Sequence, residues 1–486
     1  MKPLLKTHAL EIRTQDAQLV EPLSLEVRAG EVLTIIGETG SGKSLFAQGI
    51  VGNLPPGLHA QGAIEFGDGL CEDGRASGRH RLWGKGIAVL PQEPWLSLNP
   101  TMRANAQVAE SHHYVAGKPW ATARAAARQA LDELGLGRAA QRYPFELSGG
   151  MAQRLAFAAT HAGGAKLMIA DEPTKGLDRD RIGEIISLLQ AGLATGGALL
   201  IITHDIALAR RLGGQVMIML KGKVVERGSA EDVLERPTHA YTRRLIDADP
   251  SRWPRPPRPP SQADTVLKVR DLAAQRGGRA LFEGVSFEVR GGEIVGVTGP
   301  SGCGKSSLGD VLLSLLPASA GSVVRPVDAP RVAFQKLYQD PVAAFPPTLT
   351  LARNLADLVR LHRLDASGIP TLMQRLRLEP ALLKRLPGQV SGGELQRFSL
   401  LRVLLLKPLF IFADEPSSRL DLITQQEMIE LLVEAAREHH TAVLLVSHDQ
   451  ALIEAVCDQR IALGDTTPAC EQASALAHPA HATAHA

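Results

Sequence analysis

Two tandem α/β domains of the phosphate-loop nucleotide-binding type, each with a parallel sheet, are predicted by three observations. A glycine-rich loop, Gly37-Glu-Thr-Gly-Ser-Gly-Lys43-Ser44, returns as Gly299-Pro-Ser-Gly-Cys-Gly-Lys305-Ser306. Each follows a short apolar β-branched run, Val32–Ile36 or Ile294–Thr298, and precedes helical sequence. Three later landmarks recur in the same order: Ser148-Gly-Gly150 with Ser391-Gly-Gly393, Asp171-Glu172-Pro with Asp414-Glu415-Pro, and His204-Asp with His448-Asp. A duplicated domain explains kept order and near-constant spacing.

The strands come first. Leu167–Ala170, Leu199–Thr203, Leu409–Ala413 and Val443–Ser447 are apolar and bounded by turn or charged residues. Such runs suit parallel strands covered on both faces. Ala121–Leu134 and Leu351–Leu361 are predicted helices set between strands. Pro250 to Gln262 is dense in proline and arginine, which favours an extended spacer. The expected division is a first domain over 1–249, a linker over 250–262, a second domain over 263–465 and an Ala/His-rich disordered tail over 466–486.

Composition limits the function classes. The 486 residues exceed one ordinary core, and 44% hydrophobic with 21% charged residues is globular composition. The formal net charge is only +2, so binding nucleic acid by bulk electrostatics is not expected. The longest apolar stretch, Leu400 to Ala413, is interrupted by Arg402, Lys407 and Pro408, short of a spanning helix. No secretory leader is read at the start. Cys71, Cys303, Cys457 and Cys470 form no CxxC pair, which fits a reducing compartment. His478, His481 and His485 lie in the tail, and no metal site is expected there.

The chemistry follows from residue types. In a G-x-x-x-x-G-K-S loop, backbone N–H groups turn inward around phosphates at a helix N-terminus. Lys43 and Lys305 reach the β/γ-phosphates, and the hydroxyls of Ser44 and Ser306 ligate Mg²⁺. A strand-end aspartate beside such a loop, Asp171 or Asp414, is a second magnesium partner. The adjacent Glu172 or Glu415 is placed to act as general base on an attacking water. Ser148 and Ser391 open helices, where capping and anion binding use the same geometry. His204 and His448 end buried strands at equivalent positions, which argues for a shared role.

Together these motifs resemble the nucleotide-binding domain of ATP-binding-cassette proteins, twice over. The resemblance implies a RecA-like parallel-sheet core, an antiparallel β part and a helical subdomain in each copy, with ATP and Mg²⁺ as cofactors. It implies Walker A loops at Gly37, Glu38, Thr39, Gly40, Ser41, Gly42, Lys43, Ser44 and Leu45, and at Gly299, Pro300, Ser301, Gly302, Cys303, Gly304, Lys305, Ser306 and Ser307. Gln92 and Gln339 match the Q-loops and add to the metal sites of Ser44 with Asp171 and of Ser306 with Asp414. Ser148, Gly149 and Gly150, with Ser391, Gly392 and Gly393, match the signature. Asp178 and Asp421 match the D-loops. Glu172, Glu415, His204 and His448 match the catalytic pairs. The family further implies a head-to-tail pair within the chain, each ATP lying between one copy's Walker A loop and the other's signature, with both sites hydrolysing. Where an aromatic residue often stacks on adenine, this chain has Arg13 and Gln275.

Pro91-Gln-Glu-Pro-Trp-Leu-Ser-Leu-Asn-Pro100 and Arg236-Pro-Thr-His-Ala-Tyr-Thr-Arg-Arg-Leu245 resemble segments of peptide and nickel importer ATPases, some of them fused twins. That implies an ATPase subunit on the cytoplasmic face of the inner membrane. Its partners would be two integral-membrane permease subunits and an extracytoplasmic solute-binding protein, without nucleic acid. The alternative is a twin-cassette translation factor on the ribosome, usually joined by a long charged helical linker. The short proline-rich join weighs against it.

Overall fold

The computed structural model describes residues 3–67, 71–73, 78–92, 94–174, 179–194, 196–256, 263–300, 302–418 and 420–464. The chain divides into two compact units, the first running to Asp249 and the second beginning at Pro250.

In the first unit the apolar runs become strands because side chains on both faces are buried over five or six residues, the pattern of a parallel strand covered on both sides. Neighbouring strands in space are Lys223–Ser229, Gln215–Leu220, Val32–Ile36, Ala198–Thr203, Leu167–Asp171 and Ile87–Leu90. All but the first are parallel, with Val32 opposite Leu199 and Leu167 opposite Ala198. Helices Lys43–Val51, Gly149–His161 and Arg179–Ala194 lie between successive strands in sequence. An antiparallel sheet of Gln18–Arg28, Pro3–Arg13, His59–Phe66 and Cys71–Asp73 covers the phosphate-loop helix, where Phe46 and Ile50 meet Leu10, Ile12 and Ile64.

The helical part follows from spacing. Ala123, Ala127 and Leu131 recur every four residues on Trp120–Glu133, one buried stripe. That stripe shares a core with Val108 of Ala104–Glu110 and Leu155 of Gly149–His161. A π-helical turn, Ser111–Val115, separates the first two helices.

The second unit repeats this plan. Phe334–Leu337, Phe410–Asp414, Ala442–Val446, Ile294–Thr298 and Gln459–Ala462 form an all-parallel sheet in that order. Arg279–Arg290, Thr265–Arg276 and Ala320–Val324 form its antiparallel companion. Leu351–His362 and Ile369–Arg375 form its helical part, with Leu355 and Met373 in the core around Phe398 of Gly392–Leu405. Lys223–Ser229 and helices Ala230–Glu235 and Ala240–Asp247 have no counterpart among the described residues of the second unit. Pro250–Arg252 makes a 3-10 turn, and Trp253 packs against the second unit's core, so this part of the proline-rich segment is not extended. Residues 257–262 and the tail from 465 lie outside the described residues.

The two copies balance one core contact differently. Gly309 faces the Phe412 ring, and a Cβ there would collide with it. At the matching places the first copy has Ala47 and Ile169, both buried. Gly309→Ala is expected to cost about 1–3 kcal/mol through overpacking, read as a lower unfolding midpoint for the second unit. The paired change Gly309→Ala/Phe412→Ile should recover most of that loss.

Candidate nucleotide sites

Parallel strands deliver their loops to one edge. In the first unit the phosphate loop leaves the carboxyl end of Val32–Ile36, Glu172 follows Leu167–Asp171, and His204 follows Ala198–Thr203. The second unit places its loop, Glu415 and His448 after Ile294–Thr298, Phe410–Asp414 and Ala442–Val446. Ligands of open α/β sheets bind at this edge.

Each phosphate loop turns on glycine. Gly42 (φ 97°) and Gly304 (φ 101°) are left-handed and cap the helices that begin at Lys43 and Lys305. A Cβ at Gly42 would stand 2.9 Å from Val20 and one at Gly304 3.0 Å from Phe282, so the antiparallel sheet also demands glycine. Lys43 Nζ donates to the carbonyls of Gly37 and Glu38, both at 2.7 Å, and to Ser41 Oγ at 3.3 Å. Lys305 Nζ donates to Gly299 O at 2.8 Å and Pro300 O at 3.1 Å. Both lysines are 7% exposed. Burial lowers the Lys43 amine below its ordinary range, opposed by the carboxylates of Glu172 and Asp171.

The acid pair is held from both sides. Glu172 and Glu415 have positive φ, 51° and 46°, and their N–H groups donate to Ile202 O (2.8 Å) and Val446 O (3.0 Å). The same uncommon backbone state at the same place in both copies fixes the carboxylate's direction. Glu172 Oε1 meets His204 Nδ1 at 2.8 Å, and its Oε2 accepts from Thr203 Oγ1 at 3.1 Å. Glu415 Oε1 meets His448 Nε2 at 2.8 Å, and its Oε2 accepts from Gln339 Nε2 at 2.7 Å. Burial alone would raise the Glu172 carboxyl; His204, Lys43 and Thr203 outweigh it and hold it below the usual glutamate range.

Ser306 Oγ donates to Asp414 Oδ1 at 3.1 Å, bringing both predicted metal partners of the second copy together. These are hard oxygen donors of the kind Mg²⁺ takes, so the residues fit that ion. Burial raises the Asp414 carboxyl, against the Ser306 hydrogen bond and the Lys336 charge. Lys336 Nζ stands 3.8 Å from Asp414 Oδ2 and 2.7 Å from Asp310 Oδ1. The first copy has Val89 and Gln48 in those places.

These opposite shifts give opposite pH behaviour. A depressed acid such as Glu172 contributes stability above the ordinary glutamate value, about 4.3, which is lost as pH falls through its lower folded value. Glu172→Gln should therefore lower the first unit's unfolding midpoint at pH 7, with the gap closing in acid. A raised acid such as Asp414 is penalised while ionised. Asp414→Asn should raise the second unit's midpoint at pH 7, and the gap should close as pH falls toward the ordinary aspartate value, about 3.9. Thermal unfolding from pH 3 to 8 measures both.

Ser148 and Ser391 precede helices Gly149–His161 and Gly392–Leu405. Only Ser391 caps by side chain: Glu394 N donates to its Oγ at 3.3 Å, and Ser391 N donates to Glu394 Oε2 at 2.7 Å. Ser148 makes no side-chain cap, and Met151 stands where Glu394 supplies the reciprocal bond of the box in the other copy. Gln92 is exposed, and Asp421 is buried. Asp178 and Ser301 lie outside the described residues. Arg13 ends its strand half-buried, and Gln275 is exposed.

Sequence reasoning did not find Thr203, Asp205 or Lys336. Asp205 accepts from Thr174 Oγ1 at 3.2 Å and from Leu208 N at 2.9 Å, capping the helix after His204. Its signal is an aspartate directly after the histidine in both copies. The signal for Lys336 is a cation inside a four-residue, half-apolar strand.

A phosphate loop, strand-end acids and a histidine on one carboxyl edge define a P-loop nucleoside triphosphatase, here in two copies. A family model described as ABC transporter matches residues 20–175 and 282–418. An Escherichia coli (strain K12) protein, "Uncharacterized ABC transporter ATP-binding protein YejF", is 34% identical over 94% of this chain and 91% of its own length. "Peptidoglycan transport ATP-binding protein YejF" of Agrobacterium fabrum is 34% identical over 91% of this chain and 87% of its own. "Glutathione import ATP-binding protein GsiA" of Salmonella typhi is 32% identical over 91% and 81%. The chain belongs to the ABC transporter family, as a fused twin-cassette ATP-binding subunit with ATPase activity. An archaeal ribosome recycling factor, aABCE1, solved with the stalk protein aP1, superposes with a TM-score of 0.65 at 19% identity over 91% of this chain and 84% of its own. That likeness shows the fold alone, and the sequence relatives favour transport over the ribosome-factor alternative. Among the described residues no helix is long and apolar enough to cross a membrane.

Proposed function

We propose that this chain powers an importer for peptides, nickel or metal chelates, acting on two integral-membrane permease subunits supplied by other chains and served by an extracytoplasmic solute-binding protein. The observation that carries it is 32–34% identity, over 91% of this chain, to ATP-binding proteins named for peptidoglycan transport and glutathione import. Family membership supports permease partners and a place on the cytoplasmic face of the inner membrane.

Lys43 and Lys305 with their loop N–H groups hold the phosphates. Ser44 with Asp171, and Ser306 with Asp414, would hold Mg²⁺, aided by Gln92 and Gln339. When bound, that ion neutralises charge on the β- and γ-phosphates. Glu172 and Glu415 accept the proton of the attacking water; His204 and His448 direct the two carboxylates, and His204 also helps hold Glu172 in its ionised form. Ser148, Gly149 and Gly150, and Ser391, Gly392 and Gly393, are the signature segments of the two copies, with Asp178 and Asp421 as D-loops. The domain division of 1–249 and 263–465 about a linker belongs to this reading.

The test is affinity purification of the full chain from native membranes, followed by mass spectrometry of what accompanies it. Two permease subunits and a solute-binding protein are expected. Recovery of an exporter subunit, or of ribosomes in high salt, overturns the proposal.

A further inference from the structure

The second unit contains a cavity of about 340 Å³ that the hydrolytic machinery does not use. It opens between the end of the phosphate-loop helix, the strand Phe334–Leu337 and the far half of the helix Gly392–Leu405. Its apolar wall includes Leu313, Phe334 and Val403, and its polar groups include Arg325, Arg331, Arg402 and Lys336.

The charge there is unbalanced. No carboxylate pairs with Arg325, Arg331 or Arg402 among the described residues. Arg325 leans on the Phe334 ring at 4.7 Å and donates to Leu312 O and to Ser314 Oγ. Arg402 lies 5.0 Å from the Phe345 ring and donates to Ala344 O. Burial depresses both guanidinium groups, and Arg331 adds repulsion at Arg325. Half-buried cations without a counter-ion are costly, and a bound anion removes the cost.

The duplication supplies an internal control. Three residues before the equivalent strand the first copy has Gly84 in place of Arg331; third in that strand it has Val89 in place of Lys336. Eleventh on the equivalent helix it has Ala159 in place of Arg402. The fold therefore does not need Arg331, Lys336 or Arg402; Arg325 is different, since Arg79 of the first copy likewise donates to the carbonyls at the end of its phosphate-loop helix. Apolar walls with a few convergent charges, at this volume, are the features of a small-molecule site.

We propose that this pocket of the second unit binds a small polyanion, a phosphorylated or polycarboxylated solute, separate from the two nucleotide sites. Lys336, which lines the pocket and also touches Asp414, places the occupant one side chain from the metal-binding carboxylate. The inference does not depend on which solute the transporter carries.

The probe is radiolabelled pyrophosphate in equilibrium dialysis against the full chain, without magnesium and with both phosphate loops saturated by ATPγS. One pyrophosphate per chain is expected beyond the nucleotide. Arg331→Gly/Arg402→Ala installs the first copy's own residues and should weaken that binding at least tenfold while ATPγS binding is unchanged. The single exposed change Arg331→Glu should weaken it several-fold, and guards against a folding defect in the double variant. Absence of the extra pyrophosphate, or equal retention by the variants, overturns the proposal.

Discussion

Glu172→Gln/Glu415→Gln is expected to bind ATP normally and to hydrolyse it roughly 10²–10⁴-fold more slowly. The substitution keeps size and shape, so the loops that hold phosphate are untouched. What it removes is a charged acceptor for the water proton, fixed by positive φ and by a histidine 2.8 Å away in each copy. Glutamine presents an amide with no comparable basicity. Single changes separate the copies: independent sites leave about half the turnover, whereas coupled sites leave far less. Steady-state hydrolysis beside ATP binding by fluorescence or calorimetry gives the answer.

Lys43→Ala and Lys305→Ala carry the second large effect. Each ammonium is buried and donates to two loop carbonyls, which fixes it at the mouth of its phosphate loop. A charge-assisted hydrogen bond contributes about 1.5–3 kcal/mol, so each change should weaken ATP at its own site about 10- to 100-fold. The double change should abolish measurable hydrolysis. Calorimetric titration of the single variants should show one tight and one weak site; two unaltered sites would contradict the loop assignment.

What was legible in the sequence was local. A run of apolar residues followed within a few positions by glycines and lysine specifies strand, loop and helix together, so Val32–Ile36 and Ile294–Thr298 lie where the pattern places them. The strand read as Leu167–Ala170 runs one residue further, to Asp171, and the one read as Leu409–Ala413 shifts by one residue to Phe410–Asp414, so both include the aspartate itself. What was not legible depends on distant pairs. Thr203 reaches Glu172, and Lys336 joins Asp310 to Asp414, only because parallel strands bring separate segments to one edge. The positive φ at Glu172 and Glu415 leaves no trace in residue type, since glutamate does not favour it. Capping, by contrast, is local: Ser391 with Glu394 spells a capping box, Ser148 with Met151 does not, and only Ser391 caps by side chain.

We propose two working nucleotide sites in one chain, one at each phosphate loop, both dependent on the signature serines. The direct measurement is the number of ATP molecules trapped per chain by the Glu172→Gln/Glu415→Gln variant after rapid gel filtration in magnesium. Two are predicted, with both lost when Ser148 and Ser391 are changed to arginine. One or none trapped, or trapping that survives those changes, would contradict it.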